Sequence, residues 1–270
     1  MKFVIIGYGF VGRAIDGVLS EKHKTVLVDP KLVTYDERAE DEPDLFYQVS
    51  DLASRREVDG FVICVPTPQD EYGRCDDELV RRYVFEIQNV YPAAHILIKS
   101  TTAIDTLMSF TGNVTFSPEF LRGSISADPS LEFKRSSFMI FGGPDGRWWH
   151  DVFSDVMEYT EVRFLDIGTA GFLKYAENSF LATKVMWFNE LKALFTVSVG
   201  ENYDAMIEAL ALDKRIGFSH TAVPGPDGRY GFGGHCLPKD SSEFVEFAKI
   251  YHRKLELLEL AIELNKQYRN

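Results

Sequence analysis

The stretch that decides the fold is Met1-Lys2-Phe3-Val4-Ile5-Ile6-Gly7-Tyr8-Gly9-Phe10-Val11-Gly12. An apolar run of strand character ends in G-x-G-x-x-G, and 13–20 reads as a helix. Glycines at that spacing permit a tight strand-to-helix turn and close backbone approach, while the free N–H groups of the helix N-terminus attract a pyrophosphate. A second strand, 25–28, closes on Asp29, which lies 17 residues beyond Gly12. That is about where the acid that binds a ribose belongs, and its charge repels a 2′-phosphate. The stretch therefore predicts a doubly wound α/β domain that binds NAD rather than NADP. FAD, another nucleotide, or a plain glycine turn beside a solvated Asp29 are the competing readings.

Working outward, further buried strands are expected at 61–65, 96–98, 114–116 and 138–141, with a weaker one at 162–165 that Arg163 interrupts. Amphipathic segments at 77–91 and 148–159 alternate with them, as βαβ units and a mostly parallel sheet require. Residues 30–43 are charged and carry no period, so they read as a loop or a short helix. After Gly168 the pattern changes to one long helix over 169–199, longer than globular helices usually run. Helices at about 202–212, 239–251 and 253–268 follow, with a Gly/Pro-rich loop at 224–234. The expected organisation is a Rossmann-type doubly wound domain over 1–167 and an all-helical domain over 168–270. No internal repeat or low-complexity segment is present.

The 270 residues carry a formal charge of −12, with 45% hydrophobic and 26% charged residues. That composition is ordinary for a soluble globular chain, and the charge argues against a nucleic-acid partner. No apolar run reaches the ~18 residues of a membrane span, and the N-terminus lacks the features of a signal peptide. Cys64, Cys75 and Cys236 have neither disulfide nor metal-ligand spacing, which fits free thiols in the cytoplasm and no metal. Cys64 reads as a small buried hydrophobe; Cys75, in a polar turn, suggests nothing.

Gly231-Phe232-Gly233-Gly234-His235-Cys236-Leu237-Pro238-Lys239-Asp240 is the segment with chemistry in it. Its glycines allow close approach of bare backbone to a ligand, and Pro238 suits a first helical turn. Cys236 then lies at a helix N-terminus beside Lys239, a setting that favours a thiolate nucleophile. Asp240, four residues on, shares its helical face. A buried structural thiol is the competing reading. Near the start of the long helix Lys174 and Asn178 are also four apart, either a pair for a developing oxyanion or two solvated polar residues. Val65-Pro66-Thr67-Pro68 and Lys99-Ser100-Thr101-Thr102 lie at carboxyl ends of strands, where they line a ligand or simply cap the strand.

Taken together with Ser117-Pro118-Glu119-Phe120-Leu121-Arg122, Leu173-Lys174-Tyr175-Ala176-Glu177-Asn178 and Asp213-Lys214-Arg215-Ile216-Gly217, these motifs resemble, in order, the UDP-glucose 6-dehydrogenase family. Its relatives include the GDP-mannose and UDP-N-acetylmannosamine dehydrogenases. The resemblance implies oxidation of a nucleotide-sugar C6 alcohol to a carboxylate with two NAD. Cys236 would attack the C6 aldehyde and carry a thiohemiacetal, then a thioester. Lys174 and Asn178 would hold the oxyanion; Asp240, with Thr101 and a water, would handle protons; Glu119 would orient the hydrolytic water. NAD would be lined by Gly7, Gly9, Phe10, Val11, Gly12, Asp29, Lys31, Val65, Pro66, Thr67, Ser100, Thr101 and Lys239. The nucleotide sugar would meet Glu119, Phe120, Leu121, Arg122, Lys174, Asn178 and the loop Tyr230, Gly231, Phe232, Gly233, Gly234. Arg215 would reach into a partner subunit, which implies a homodimer through the long helix.

The sequence departs from the family in two respects. A second glutamate usually follows the Ser-Pro-Glu motif, but Gly123-Ser124 stand after Arg122 here. Family members also carry a third, C-terminal α/β domain that grips the nucleotide, and this chain reaches Asn270 where the helix leading to it is expected to end. An active enzyme, a fragment and a non-catalytic NAD-binding regulatory protein are therefore all readings to test. A β-hydroxyacid dehydrogenase, which shares the domain order and a Lys-x-x-x-Asn but needs no cysteine, is the other enzyme reading.

Overall fold

The computed structural model describes residues 1–30, 45–46, 58–121, 128–157, 161–200 and 202–269. Among them, eight strands form one sheet: β1 (Lys2–Ile6), β2 (Lys24–Val28), β3 (Leu45–Phe46), β4 (Gly60–Ile63), β5 (His95–Ile98), β6 (Val114–Phe116), β7 (Phe138–Gly142) and β8 (Glu161–Leu165). Their order is β3-β2-β1-β4-β5-β6-β7-β8. Neighbours run parallel except β6 and β7, which meet antiparallel at Phe116 and Gly142. The helices are α1 (Phe10–Leu19), α2 (Glu78–Val90), α3 (Ile104–Ser109), α4 (Pro129–Lys134), α5 (Gly146–Ser154), α6 (Ile167–Ser198), α7 (Tyr203–Leu210), α8 (Cys236–Ile250) and α9 (Glu256–Arg269). The expected doubly wound sheet and long helix are both present. Most of the loop-or-helix stretch at 30–43 lies outside the described residues.

The inner strands are mainly apolar because both faces of the sheet are covered there. Side chains alternate across a strand, so Val4, Ile6, Phe61, Ile63, Ile96 and Ile98 face one way, against α2 and the start of α6. Phe3, Ile5, Val62 and Leu97 face the other way, against α1 and α5. Strand β8 tolerates its arginine because it is an edge strand, where Arg163 is exposed and pairs with Glu161 at 2.9 Å. Helices α3 and α4 escape a periodicity reading because six residues make less than two turns. Asp166 caps α6, accepting from Thr169 N at 2.8 Å and Thr169 Oγ1 at 2.5 Å. These bonds depress its carboxyl pKa, and such a cap stabilises a helix by about 1 kcal/mol.

The chain divides into two compact units. The first is Met1–Pro68 with Asp76–Lys174, and the second is Gln69–Cys75 with Tyr175–Asn270. The division thus falls inside α6, beyond the expected 167/168, and it gives residues 69–75 to the helical unit. The cause is local: Glu243 in α8 is fully buried and accepts from Cys75 N at 2.7 Å, with Arg74 Nε 3.1 Å away. A buried carboxylate needs such partners. Elsewhere in the second unit, Ala182 and Met186 of α6 pack with Phe232 and with Ala261 of α9. Phe188 packs with Tyr203, Ile207 and Val223. No helix among the described residues is long and apolar enough to cross a membrane.

Candidate active site

In the first unit the strand order reverses between β1 and β4, and ligands of open α/β sheets bind at that switch point. The glycine turn lies there. A Cβ on Gly7 would stand 2.6 Å from Cys64 O and one on Gly12 2.0 Å from Gly7 O, so packing dictates both glycines. Beside Gly9, by contrast, nothing lies within 4 Å of where a Cβ would be. Gly9 is the N-cap of α1 and provides no side chain to satisfy the helix's first N–H groups. Asp29 Oδ2 accepts from Tyr8 N at 2.7 Å, which fixes the carboxylate beside the turn. Open backbone donors at Phe10, Val11 and Gly12 and an acid at the end of β2 could hold the pyrophosphate and ribose of a dinucleotide. Lys31 lies outside the described residues.

Val65, Pro66 and Thr67 follow β4, and Ser100 and Thr101 follow β5, at the same edge of the sheet. Ser100 is buried and its hydroxyl donates to Val65 O at 2.7 Å, joining the two turns. Asp77, fully buried, accepts from Ala103 N at 3.1 Å and from Arg81 Nε at 2.8 Å, which pins the turn just past Thr101.

Glu119 has a partner that its motif did not reveal. Its Oε1 accepts from Phe120 N at 2.8 Å and Leu121 N at 3.0 Å, and its Oε2 lies 3.0 Å from Lys99 Nζ. The side chain of Lys99 is 1% exposed and also reaches Ser117 Oγ and Pro118 O, each at 3.3 Å. One signal for it was available: a lysine closing the apolar strand His95-Ile96-Leu97-Ile98 cannot stay buried without an anion. Lys174, also buried, sits with its Nζ 4.8 Å above the Phe120 ring. Arg122 and Gly123-Ser124 lie outside the described residues.

In the second unit Cys236 is the first residue of α8 and is exposed. One turn on, Asp240 is fully buried; it accepts from Asn178 Nδ2 at 2.5 Å and pairs with Lys239 Nζ at 2.7 Å. Two expectations change here. Lys239 is directed at Asp240 and at Cys75, whose sulfur is 3.7 Å from Nζ, so it is not a dedicated partner of Cys236. Asp240 is occupied in holding Asn178 and Lys239, so its carboxylate does not stand open beside the thiol. Burial is the largest single influence on Lys239 and works against its charge, but Asp240 and the sulfurs of Cys75 and Cys236 outweigh it and raise its pKa. Cys75, read as uninformative, is buried in this cluster. Cys64, expected to be buried, is half-buried by exposed area, though desolvation still pushes its thiol up to about 12.

The glycine loop also differs from its expected role. Phe232 packs in the helical core, and its N–H and carbonyl are both bound by Asn265, at 2.7 and 3.0 Å. Neither its side chain nor its backbone is available to a substrate. Gly231 N is likewise taken by Asn189 Oδ1 at 2.9 Å. Gly234, with φ +75 and open space beside it, is exposed, and Tyr230 is partly exposed, stacked on Tyr268. Arg215 points outward with 89% of its side chain exposed, held by Asp213; that pairing lowers the Asp213 pKa and raises that of Arg215. Among the described residues no group of three or more His, Cys, Asp or Glu could hold a metal.

Comparison with known proteins bears on the fold and the family of the chain. Residues 168–267 match the central domain of the UDP-glucose/GDP-mannose dehydrogenase family. A UDP-glucose 6-dehydrogenase of Rickettsia typhi is 30% identical over 223 residues, covering 78% of this chain. The chain spans about half the length of that relative, 50%. The structure of a UDP-glucose dehydrogenase from Pyrobaculum islandicum superposes with a TM-score of 0.82 at 22% identity, over 98% of this chain and 68% of that one. A 3-hydroxyisobutyrate dehydrogenase of Mycobacterium tuberculosis gives 0.73 at 16% identity, over 99% and 93%. Residues 168–267 therefore match the central domain of the UDP-glucose/GDP-mannose dehydrogenase family, and the chain as a whole has the fold of these dehydrogenases.

Proposed function

We propose that the chain oxidises the C6 alcohol of a nucleotide sugar to the carboxylate, with UDP-glucose the first substrate to test and NAD the cofactor. The observation that carries this reading is the exposed Cys236 at the start of α8, one turn ahead of the buried chain Asn178–Asp240–Lys239. NAD, when bound on the Gly7–Gly12 turn, accepts a hydride in each of two oxidations. A thiolate at a helix N-terminus is stabilised by the helix dipole and N–H groups. Cys236 would add to the C6 aldehyde, and the thiohemiacetal, once oxidised, becomes a thioester that water cleaves. Asp240 would act first as the anchor that orients the Asn178 amide toward the developing oxyanion, itself held in place by Lys239. Lys174 would supply a positive charge to the same oxyanion. Lys99 and the Phe120 and Leu121 N–H groups would fix the position of Glu119, which would orient the hydrolytic water. The test is NADH release across a panel of nucleotide sugars; absence of turnover with all of them sinks the reading and favours a non-catalytic NAD-binding protein.

The match to a 3-hydroxyisobutyrate dehydrogenase over nearly its whole length keeps a second reading in play, a single hydride transfer from a hydroxy acid. That reaction yields one NADH and gives Cys236 no task.

A homodimer through α6 belongs to the same proposal. Phe180, Trp187 and Leu194, 65%, 61% and 62% exposed, recur every seven residues and so share a face. Large apolar side chains repeated along one face mark an interface. Arg215, held outward by Asp213, would then reach a partner's substrate. Sedimentation velocity is expected to give a dimer mass for the wild type and a monomer for Trp187→Glu; a monomeric wild type overturns the assignment.

A further inference from the structure

The loop at 225–234 is fastened along one face of α9. Gly225 N donates to Arg229 O at 2.8 Å and Gly228 N to Gly225 O at 2.9 Å, which closes a turn around Asp227. The Asp227 carboxylate pairs with the Arg269 guanidinium, whose Nη2 donates to Gly231 O at 2.7 Å. Arg229 in turn donates to Arg269 O. Asn265 treats Phe232 as a neighbouring strand would, Oδ1 accepting from its N–H and Nδ2 donating to its carbonyl. Asn265, Tyr268 and Arg269 are three and four residues apart, so one face of α9 makes all these contacts.

The glycines record the same pressure. A Cβ on Gly231 would lie 2.3 Å from Asn265 Oδ1, and one on Gly233 2.7 Å from the Arg269 guanidinium. Gly231 and Gly233 thus make room for α9, whereas Gly234, beside them, faces open space. Gly234, at φ +75, is followed by His235 at φ −85, ψ −32. Left-handed backbone followed by right-handed makes successive N–H groups converge, a shape that holds anionic oxygens.

We propose that Asn265 and Arg269 are positioning residues: through the loop they set the backbone of Gly233 and Gly234 that receives the anionic part of the nucleotide sugar, and so they control substrate affinity. This rests on the nucleotide-sugar reading, and the experiment separates the two. Hydrogen exchange of the loop peptide is measured without substrate, together with steady-state kinetics on UDP-glucose, for the full chain carrying Asn265→Ala, Arg269→Ala or Arg269→Lys. Loop protection is expected to fall and KM for UDP-glucose to rise, each by about tenfold in Arg269→Ala, as for loss of charge-assisted hydrogen bonds. The kcat should stay within about threefold and KM for NAD should be unchanged, because these contacts bear on substrate binding alone. Arg269→Lys should restore part of the protection, since it keeps the charge opposite Asp227 but loses the fork to Gly231 O. If Asn265→Ala fails to fold, the Arg269 variants, at the last turn of α9, carry the test. Wild-type loop exchange in Arg269→Ala, or a fall in kcat at unchanged KM, overturns the proposal. A wild type inert on every nucleotide sugar of the panel counts against the nucleotide-sugar reading alone, and loop exchange then decides whether α9 sets the loop.

Discussion

Cys236→Ser is expected to slow acid formation by at least ~10³-fold, the scale on which enzymes lose rate with their nucleophile. The reason lies in what a hydroxyl lacks. At the N-terminus of α8 a thiol is readily held as the thiolate, whereas a serine hydroxyl without an adjacent base is not. The first hydride leaves the alcohol carbon without help from the thiol. The variant should therefore produce aldehyde and one NADH, then stall. Rapid quench with mass spectrometry distinguishes aldehyde from acid, and acid formed at the wild-type rate removes Cys236 from the mechanism.

Lys99→Met is expected to have the largest effect on stability. The Lys99 ammonium is closed off from water and gathers Glu119, Ser117 and Pro118, with the Phe133 ring 5.2 Å away. Removing it leaves the Glu119 carboxylate, 13% exposed, without its counter-charge. Breaking a buried pair from one side costs on the order of 3–5 kcal/mol. At roughly 2–4 °C per kcal/mol for a domain of this size, Tm should fall by about 10 °C. The double variant Lys99→Met with Glu119→Gln should recover much of that loss, because the orphaned charge disappears with its partner. A single variant that melts within about 2 °C of wild type would mean that the pair does not hold the Ser117–Leu121 turn.

The sheet domain was legible because its signals are local. An apolar run, a glycine turn and an acid at the end of the next strand are all read within the first 29 residues. The long helix was equally plain, since nothing between Phe172 and Val199 breaks its spacing. What could not be read depends on residues far apart in the chain. Cys75 gave no signal because its setting is created by Glu243 and Lys239, more than 160 residues away. Lys99 and Glu119 were both in view, but nothing local said that they meet. The glycines at 231 and 233 were read correctly as places where something comes close, and the assumed visitor was a ligand. In the fold it is α9, and the same geometry withdraws Phe232 from the substrate. Lys239 stands three residues from Cys236, yet its ammonium is directed at Asp240 and Cys75, which only side-chain geometry could show.

The most direct test of the account is the ratio of NADH formed to nucleotide sugar consumed by the wild-type chain, measured to completion on the sugar that turns over fastest. Two hydride transfers through one Cys236-bound thioester predict a ratio of two, with the uronic acid as product. A ratio of one, with aldehyde or ketone as the product, would contradict it.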